Sequence, residues 1–400
     1  MGASLKPIKL KYYEFFAGVG MARSGLGGGW TCLFANDCDK LKHSSYIENW
    51  DGGHFDERDV AEVCANDLVE FADLAWASFP CQDLSQAGTK AGIGGGDGAA
   101  VTRSGAVWPF LNIIRGLAEE QRHPTILALE NVVGLLSSKG GADFRAICAA
   151  LSEIGYRFGA VIADAAHFVP QSRPRVFIIA VRKEVPIPAS LQTDMGKGPW
   201  HSQVLLRTRA ALPLEDAENW VWWSPGEPPA KKGFELGEII DLSDEADWNT
   251  DEATERLLGM MSAAHKERLA AAKLAGRPMV GSLYLRMRPN GKAGNVQRAE
   301  IAFGPTLGCL RTPKGGASRP RIIVVEGDRV RTRLLSIHEA ARLMGLEDFI
   351  LPPNYNECFR LIGDGVVPAV VRFLADRLFE PLAKHAKVFI NAPADRKASA

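Results

Sequence analysis

Apolar residues in the first 180 positions gather into short runs, and the stretches between those runs have helical period. Leu10–Phe16, Thr31–Ala35, Leu74–Phe79, Thr125–Leu129 and Val176–Val181 have the length and the aromatic or β-branched content of buried strands. Asp39–Trp50, Val107–Gln121 and Asp143–Ile154 place apolar side chains three and four residues apart, which predicts amphipathic helices. Strands alternating with helices predict an α/β fold built on a doubly wound, mostly parallel sheet. Ligands of such sheets bind beyond the carboxyl ends of the strands.

The pattern changes after Glu184. Trp200, Trp220, Trp222, Trp223 and Trp248 stand among prolines, glycines and acids, and Ala263–Ala275 reads as one amphipathic helix. Pro278–Val325 is rich in Gly, Arg and polar residues, which predicts a second, irregular domain with a loop-built surface. Arg333–Gly345 reads as a helix with Ser336 as N-cap, Glu339 completing a capping box and Gly345 as its stop. Ile362–Pro368 is expected to open a helix running to about Phe379. The expected division is 1–183 (completed by 357–386), then 184–356, with 387–400 as a frayed tail.

Hydrophobic residues make up 46% of the 400 positions and charged residues 24%, which suits a globular chain of one large or two ordinary domains. No uninterrupted apolar window of membrane-spanning length occurs, and the first residues lack the core of a signal peptide. Seven scattered cysteines without a Cys-x-x-Cys pair argue against a disulfide framework and a structural zinc site, so a reducing cytoplasm and no metal are expected. The net charge of zero hides an uneven distribution: residues 215–255 hold 13 acidic and two basic side chains, and residues 256–333 hold 16 basic and four acidic. The basic segment is either a solvated, salt-bridged surface or a nucleic-acid face.

The strand ends carry the candidate chemistry. The first ends in Phe16-Ala-Gly18-Val19-Gly20, an incomplete Gly-x-Gly-x-x-Gly in which Arg23 takes the third glycine's place. The next ends at Asp37, 21 residues after Phe16, where a carboxylate takes ribose hydroxyls. Asp59 is placed to meet an adenine amino group, and the three ends together suggest an adenosine-containing cofactor. Cys81 follows the strand Leu74–Phe79 and Pro80, ahead of a glycine-rich run. It reads as a buried small hydrophobe or as a nucleophile delivered to a strand end. Glu130 ends another apolar strand, where desolvation lets a carboxyl hold a proton near neutrality. Arg173 and Arg175, two residues apart in an extended segment, point the same way and could clamp an anion or a carbonyl oxygen.

In order along the chain, Phe16-Ala-Gly-Val-Gly20, Phe79-Pro-Cys-Gln82, Glu130-Asn-Val132, Gln171-Ser-Arg-Pro-Arg175, the Arg333–Gly345 segment and Gly363-Asp-Gly-Val-Val-Pro368 resemble the motif set of the prokaryotic-type DNA cytosine-5 methyltransferases. The resemblance runs from about residue 11 to 381. It implies a Rossmann-like methyltransferase fold with a target-recognition domain, and S-adenosyl-L-methionine as cofactor. It assigns Cys81 to addition at cytosine C6 and Glu130 to N3. Arg173 is assigned to the O2 side of the base, and Arg175 to orienting Glu130 or approaching Cys81. Phe16 is implied to stack on the cofactor adenine, Asp37 to take the ribose and Asp59 the adenine amino group. Gly18, Val19, Gly20, Cys38, Val60, Pro80, Asp364, Gly365 and Val366 complete the implied cofactor set. The target carbon lies inside a stacked duplex, so the base must be flipped out. Gln82 is assigned near the flipped site, Ser85 near the target phosphate, and Gln86–Arg103 to a loop closing on DNA. Arg311, Arg319 and Arg321, near Gly315 and Gly316, are further expected DNA contacts. Met21 stands where a further glycine is common, and Asp364 replaces the usual Asn, adding a charge near the cofactor's methionine carboxylate.

The implied partners are double-stranded DNA and a cognate restriction endonuclease acting on the same site. The chain is expected to be a cytoplasmic, nucleoid-associated monomer with no membrane contact. Two alternatives stand beside this reading. One is a transfer-RNA cytosine-5 methyltransferase, whose reduced recognition region contrasts with the roughly 150 residues between Arg182 and Arg333. The other is a non-catalytic DNA-binding relative, against which the intact Cys81, Glu130, Arg173 and Arg175 argue.

Overall fold

The structure, a computed structural model, describes residues 9–81, 84, 92–94, 103–230, 236–290, 294–312 and 319–390. It divides into two compact units, one of residues 1–164, 174–228 and 365–400, the other of 165–173 and 229–364.

The first unit is a seven-stranded sheet with helices on both faces. Its strands are β1 (Leu10–Phe15), β2 (Trp30–Asn36), β3 (Phe55–Asp56), β4 (Leu74–Ala77), β5 (Ile126–Val132), β6 (Tyr156–Asp164) and β7 (Pro174–Arg182). The order is β3-β2-β1-β4-β5-β7-β6; the first five are parallel, and β7 and β6 close the edge as an antiparallel hairpin. The helices of this half are α1 (Met21–Leu26), α2 (Lys40–Asn49), α3 (Val107–Glu119) and α4 (Ala142–Ile154). Strands buried on both faces need apolar side chains on both, and β4 shows why its run is continuous. Ala75 and Ala77 join the cluster of Phe110, Ile114, Phe144 and Ile147 from α3 and α4. Trp76, between them, meets Phe177 and Phe379 from the other side, with ring centroids 6.1 and 6.3 Å away. On that side α1 packs against α11 (Pro368–Leu374), so closely that a Cβ on Gly25 would lie 2.4 Å from Val371 Cβ. β6 is a strand the apolar pattern does not announce, because Arg157 and Gly159 interrupt it.

The expected break at 183 falls inside this unit. The following segment adds β8 (Gln192–Thr193), α5 (Gln203–Ala210), α6 (Leu214–Ala217) and β9 (Trp222–Trp223). Phe158 donates its N–H to Asn219 O (2.9 Å) and accepts from the Val221 N–H (2.7 Å). The Trp220 ring stacks edge-on against Phe144 and Phe158, so Trp220 belongs to the core of the seven-stranded sheet. At the far end α12 (Glu380–Ile390) continues from the helical turn Ala375–Phe379, with Lys387 Nζ 2.9 Å from Asp73. Residues 387–390 are therefore helical where fraying was expected, and 391–400 lie outside the described residues.

The second unit holds α7 (Asp251–Gly259), α8 (Ala263–Lys273), β10 (Met279–Pro289), β11 (Asn295–Phe303), β12 (Arg321–Glu326), β13 (Arg329–Leu334), α9 (Ile337–Arg342) and α10 (Tyr355–Asp364). Its strands form an antiparallel sheet in the order β11-β10-β12-β13, which corrects the irregular, loop-built expectation for 278–325. The period-two signal was present but weak: Leu283, Ala299, Ile301, Ile323 and Val325 pack in one cluster with α7 and α8, while exposed Arg286 and Arg288 interrupt the end of β10. The predicted Arg333–Gly345 helix begins only at Ile337. Its Ser336–Glu339 capping box is present, and Arg333, the penultimate residue of β13, pairs with Glu339 at 2.5 Å where both are buried. The Gly363–Pro368 segment ends α10 at Asp364 and starts α11 at Pro368, where the missing N–H costs nothing.

Candidate active site

The strand order reverses between β1 and β4, the switch point at which open α/β sheets bind ligands. The end of β1 turns through Phe16, a non-glycine residue at φ +57°, and Gly18 at φ +59°. Such a conformation is strained for Phe16 and is retained where surroundings impose it. The Ala17 N–H donates to Asn36 O (2.9 Å) and the Gly18 N–H to Asp37 Oδ2 (3.0 Å), so the end of β2 holds the loop. A Cβ on Gly18 would meet nothing within 4 Å, which leaves clear space beside the backbone. Gly20 is constrained differently: a Cβ there would strike Trp50, whose indole N–H donates to Val19 O (2.9 Å).

Asp37 is buried and also accepts the Asp39 N–H at 3.1 Å. Lys42 lies 3.5 Å from it. A carboxylate offers about four lone-pair positions, so acceptor capacity remains for a hydroxyl. Cys38 is exposed. Asp59 is also exposed and caps the short turn Val60–Glu62 through the Ala61 N–H (2.9 Å), with Val60 buried behind it.

Beneath the loop lies a polar network that sequence reasoning missed. Arg23 Nη1 is 2.9 Å from the Tyr46 hydroxyl and 2.7 Å from His54 Nε2, and its guanidinium covers the Trp50 ring at 4.8 Å. Glu14 accepts the Arg23 N–H. The one available signal was a glutamate inside the apolar run Leu10–Phe16.

Across the switch point, Ala77 of β4 pairs with Leu129 of β5, so Glu130 lies one residue and Cys81 four residues beyond that pair. The Asn131 side-chain amide donates to Phe79 O (2.9 Å), fixing the turn that leads through the half-buried Pro80 to Cys81. Cys81 is half-buried and Glu130 is buried. Arg175 Nε approaches Glu130 Oε1 at 3.1 Å. β5 and β7 are antiparallel with Val132 opposite Arg175, which sets the arginine diagonally from Glu130.

Arg173 belongs to the second unit and is 2% exposed. Nη1 donates to Leu310 O (3.0 Å) and meets Cys309 Sγ (3.2 Å), while Nη2 donates to Gly363 O (2.7 Å). The Arg175 guanidinium thus holds Glu130, and the Arg173 guanidinium ties two backbone segments of the second unit. Asp364 is exposed and accepts from the Thr312 hydroxyl (2.9 Å); a Cβ on Gly363 would lie 2.5 Å from the Thr312 N. Val366 is buried and Gly365 half-buried in the first unit. Of the expected DNA contacts, Arg311 is exposed. Arg319 stacks over the Tyr355 ring at 5.0 Å and bonds Asn356, and Arg321 is half-buried and donates to Arg319 O. Gln82, Ser85 and most of the 86–103 loop lie outside the described residues.

A sequence model of the C-5 cytosine-specific DNA methylases matches residues 10–380. The Type II methyltransferase M.DsaV of Dactylococcopsis salina is 25% identical over 92% of this chain and 86% of its own length. M.NlaX of Neisseria lactamica is 24% identical over 97% and 99%. M.BsuFI of Bacillus subtilis is 31% identical over a shorter stretch, 45% of this chain and 41% of its own length. Among solved structures, S. pombe Dnmt2 shares the fold at 16% identity with a TM-score of 0.55, covering 93% of this chain and 99% of its own. A prophage DNA modification methyltransferase from E. coli does so at 0.52, again at 16% identity, over 93% and 99%. With the Phe16–Gly20 loop and the Pro80-Cys81 turn at the ends of neighbouring strands, the chain belongs to the C-5 cytosine-specific DNA methylase family, whose members take the methyl group from S-adenosyl-L-methionine.

Proposed function

We propose that this chain methylates C5 of a cytosine flipped out of a short specific duplex DNA site, with Cys81 as nucleophile and Glu130 as the group acting at N3. The observation that carries the reading is the buried Glu130 carboxylate, held by Arg175 beside the turn that presents Cys81. Cytosine C5 is too weak a nucleophile to take a methyl group unaided. The Cys81 thiolate, adding at C6, makes C5 enamine-like, while Glu130 holds a proton at N3 and offsets the charge that develops on the ring. Arg175 keeps Glu130 in place. Loss of the C5 proton and of the Cys81 sulfur then restores the aromatic ring. When bound, S-adenosyl-L-methionine supplies the electrophilic methyl group. The open space at Gly18 and the acceptor capacity of Asp37 fit its adenosine, with Phe16, Val19, Gly20, Cys38, Asp59, Val60 and Pro80 around it. Asp364, Gly365 and Val366 are proposed on the methionine side. Arg173 acts as a positioning residue through the Leu310 and Gly363 carbonyls. Such an enzyme works on the genome, in the cytoplasm, as a monomer beside an endonuclease of the same specificity.

The test is covalent trapping on duplex DNA carrying 5-fluorocytosine at the site, which bisulfite sequencing of an expressing host identifies. Wild type should form a stable adduct in the presence of S-adenosyl-L-methionine and Cys81→Ala should form none. An adduct in Cys81→Ala, or methylation of transfer RNA in place of duplex DNA, would overturn the reading.

A further inference from the structure

In the second unit, β10 has two neighbours only as far as Leu283, which pairs with Arg321 of β12. Beyond it, Tyr284–Pro289 pairs with Asn295–Glu300 of β11 alone. The end of the hairpin is therefore a two-stranded ribbon, about 20 Å long at ~3.4 Å per residue. Arg286, Met287, Arg288 and Pro289 are all exposed, and Val296, Gln297 and Arg298 opposite them are half-buried.

Its two faces differ. One alternates Leu285, Met287 and Pro289 opposite Ala299, Gln297 and Asn295. The other carries Arg286 and Arg288, with Arg298 directly opposite Arg286. Glu300 answers only part of this charge: Arg288 Nε is 2.5 Å from its carboxylate and Arg286 Nε 3.5 Å. Among the described residues the Arg298 guanidinium makes no hydrogen bond or ion pair. Like charges directly opposite on one face are destabilising, so the chain bears a local cost that an anionic partner would relieve. A two-stranded ribbon fits the B-form major groove, about 12 Å wide, whereas the deep, narrow major groove of A-form RNA excludes side chains.

We propose that the arginine face of the β10–β11 ribbon enters the major groove of the substrate duplex, with Arg298 reading a base edge and Arg286 and Arg288 contacting phosphates. The assignment rests on duplex DNA being the substrate. It moves base reading away from Arg319 and Arg321, which are engaged with Tyr355, Asn356 and the local backbone. A free guanidinium is the group best suited to bidentate bonds with a guanine O6 and N7.

The experiment compares wild type, Arg298→Ala and Arg288→Ala, once wild type has been shown to methylate its site. Arg298→Ala should reduce kcat/KM on the cognate duplex about 10- to 100-fold. It should also relax the methylated motif at one position in whole-genome bisulfite reads. Arg288→Ala should weaken binding to all sequences alike and lower the salt slope by about one. Cofactor affinity and Tm should be unchanged in both, since neither group supports the core. An unchanged motif and unchanged kcat/KM for Arg298→Ala overturn the proposal. So does a uniform, salt-dependent loss for Arg298→Ala, which would make it another phosphate contact. A wild type inactive on duplex DNA would instead sink the functional reading beneath it.

Discussion

Glu14 tests the physics of the first unit without any DNA. Its side chain is fully buried in β1, with Oε1 3.3 Å from the Arg23 N–H and Oε2 without a partner among the described residues. Burial pushes its carboxyl from the ordinary 4.5 up to about 8, with Arg23 pulling the other way. Between those values the folded chain keeps a proton on Glu14 that the unfolded chain has released. Stability from this group is complete below 4.5 and declines as pH rises, by up to about 1.4 kcal/mol per pH unit, until the carboxyl ionises near 8. The whole window amounts to something on the order of 4–5 kcal/mol. Glu14→Gln keeps the shape and removes the titration. Its amide lacks partners, a cost of about 1–3 kcal/mol that is the same at every pH, so the slope and not the offset is the observable. For a unit of this size 1 kcal/mol moves Tm by about 2–4 °C. Scanning calorimetry from pH 5 to 8 should therefore show wild type losing about 3–5 °C per pH unit relative to Glu14→Gln. Parallel curves across that range would refute the reasoning.

Two other substitutions probe the two arginine–glutamate pairs. Arg175→Lys retains a cation but not the fixed planar fork, so kcat should fall by about 10²-fold while cofactor affinity stays constant, measured by methyl transfer at saturating cofactor. Glu339→Ala leaves Arg333 buried and unpaired and should destabilise the second unit by about 3–5 kcal/mol in urea unfolding. Burial works against the Glu339 carboxylate, yet bonds from Arg333, Ser336 and Asp241 hold its pKa below the ordinary range. That contribution is present above the ordinary carboxyl range and disappears as pH falls, so the difference between wild type and variant should shrink in acid, opposite in sign to Glu14.

What was legible in the chain divides along a physical line. The strand ends could be read because their signals are local: an apolar run, a glycine that must turn at positive φ, a polar residue stranded at the end of a buried strand. Phe16 and Asp37 directly follow β1 and β2 and Cys81 follows β4, whereas Glu130 lies within β5, two residues before its end at Val132. Arg173 and Arg175 show its limit. Two positions apart in an extended segment, they share a direction in isolation. The chain, however, passes from one compact unit to the other between them, and each guanidinium bonds to groups of its own unit. No local pattern records that crossing.

The second sheet was missed for a different reason. β12 is apolar from Ile322 to Val325, but β10 ends in the exposed Arg286, Met287, Arg288 and Pro289 and β11 carries Asn295, Gln297, Arg298 and Glu300, so hydropathy averaged over the stretch resembles a loop. The features that hid the fold are the ones that matter for its use. A strand buried on both faces advertises itself through composition. A ribbon built to be covered by a polyanion must leave one face cationic and unsatisfied until the partner arrives. The arginines that weaken the folding signal, Arg286, Arg288 and Arg298, are the ones proposed above to meet DNA. Arg298 is the clearest case: its guanidinium makes no bond among the described residues, so its proposed partner lies outside the protein.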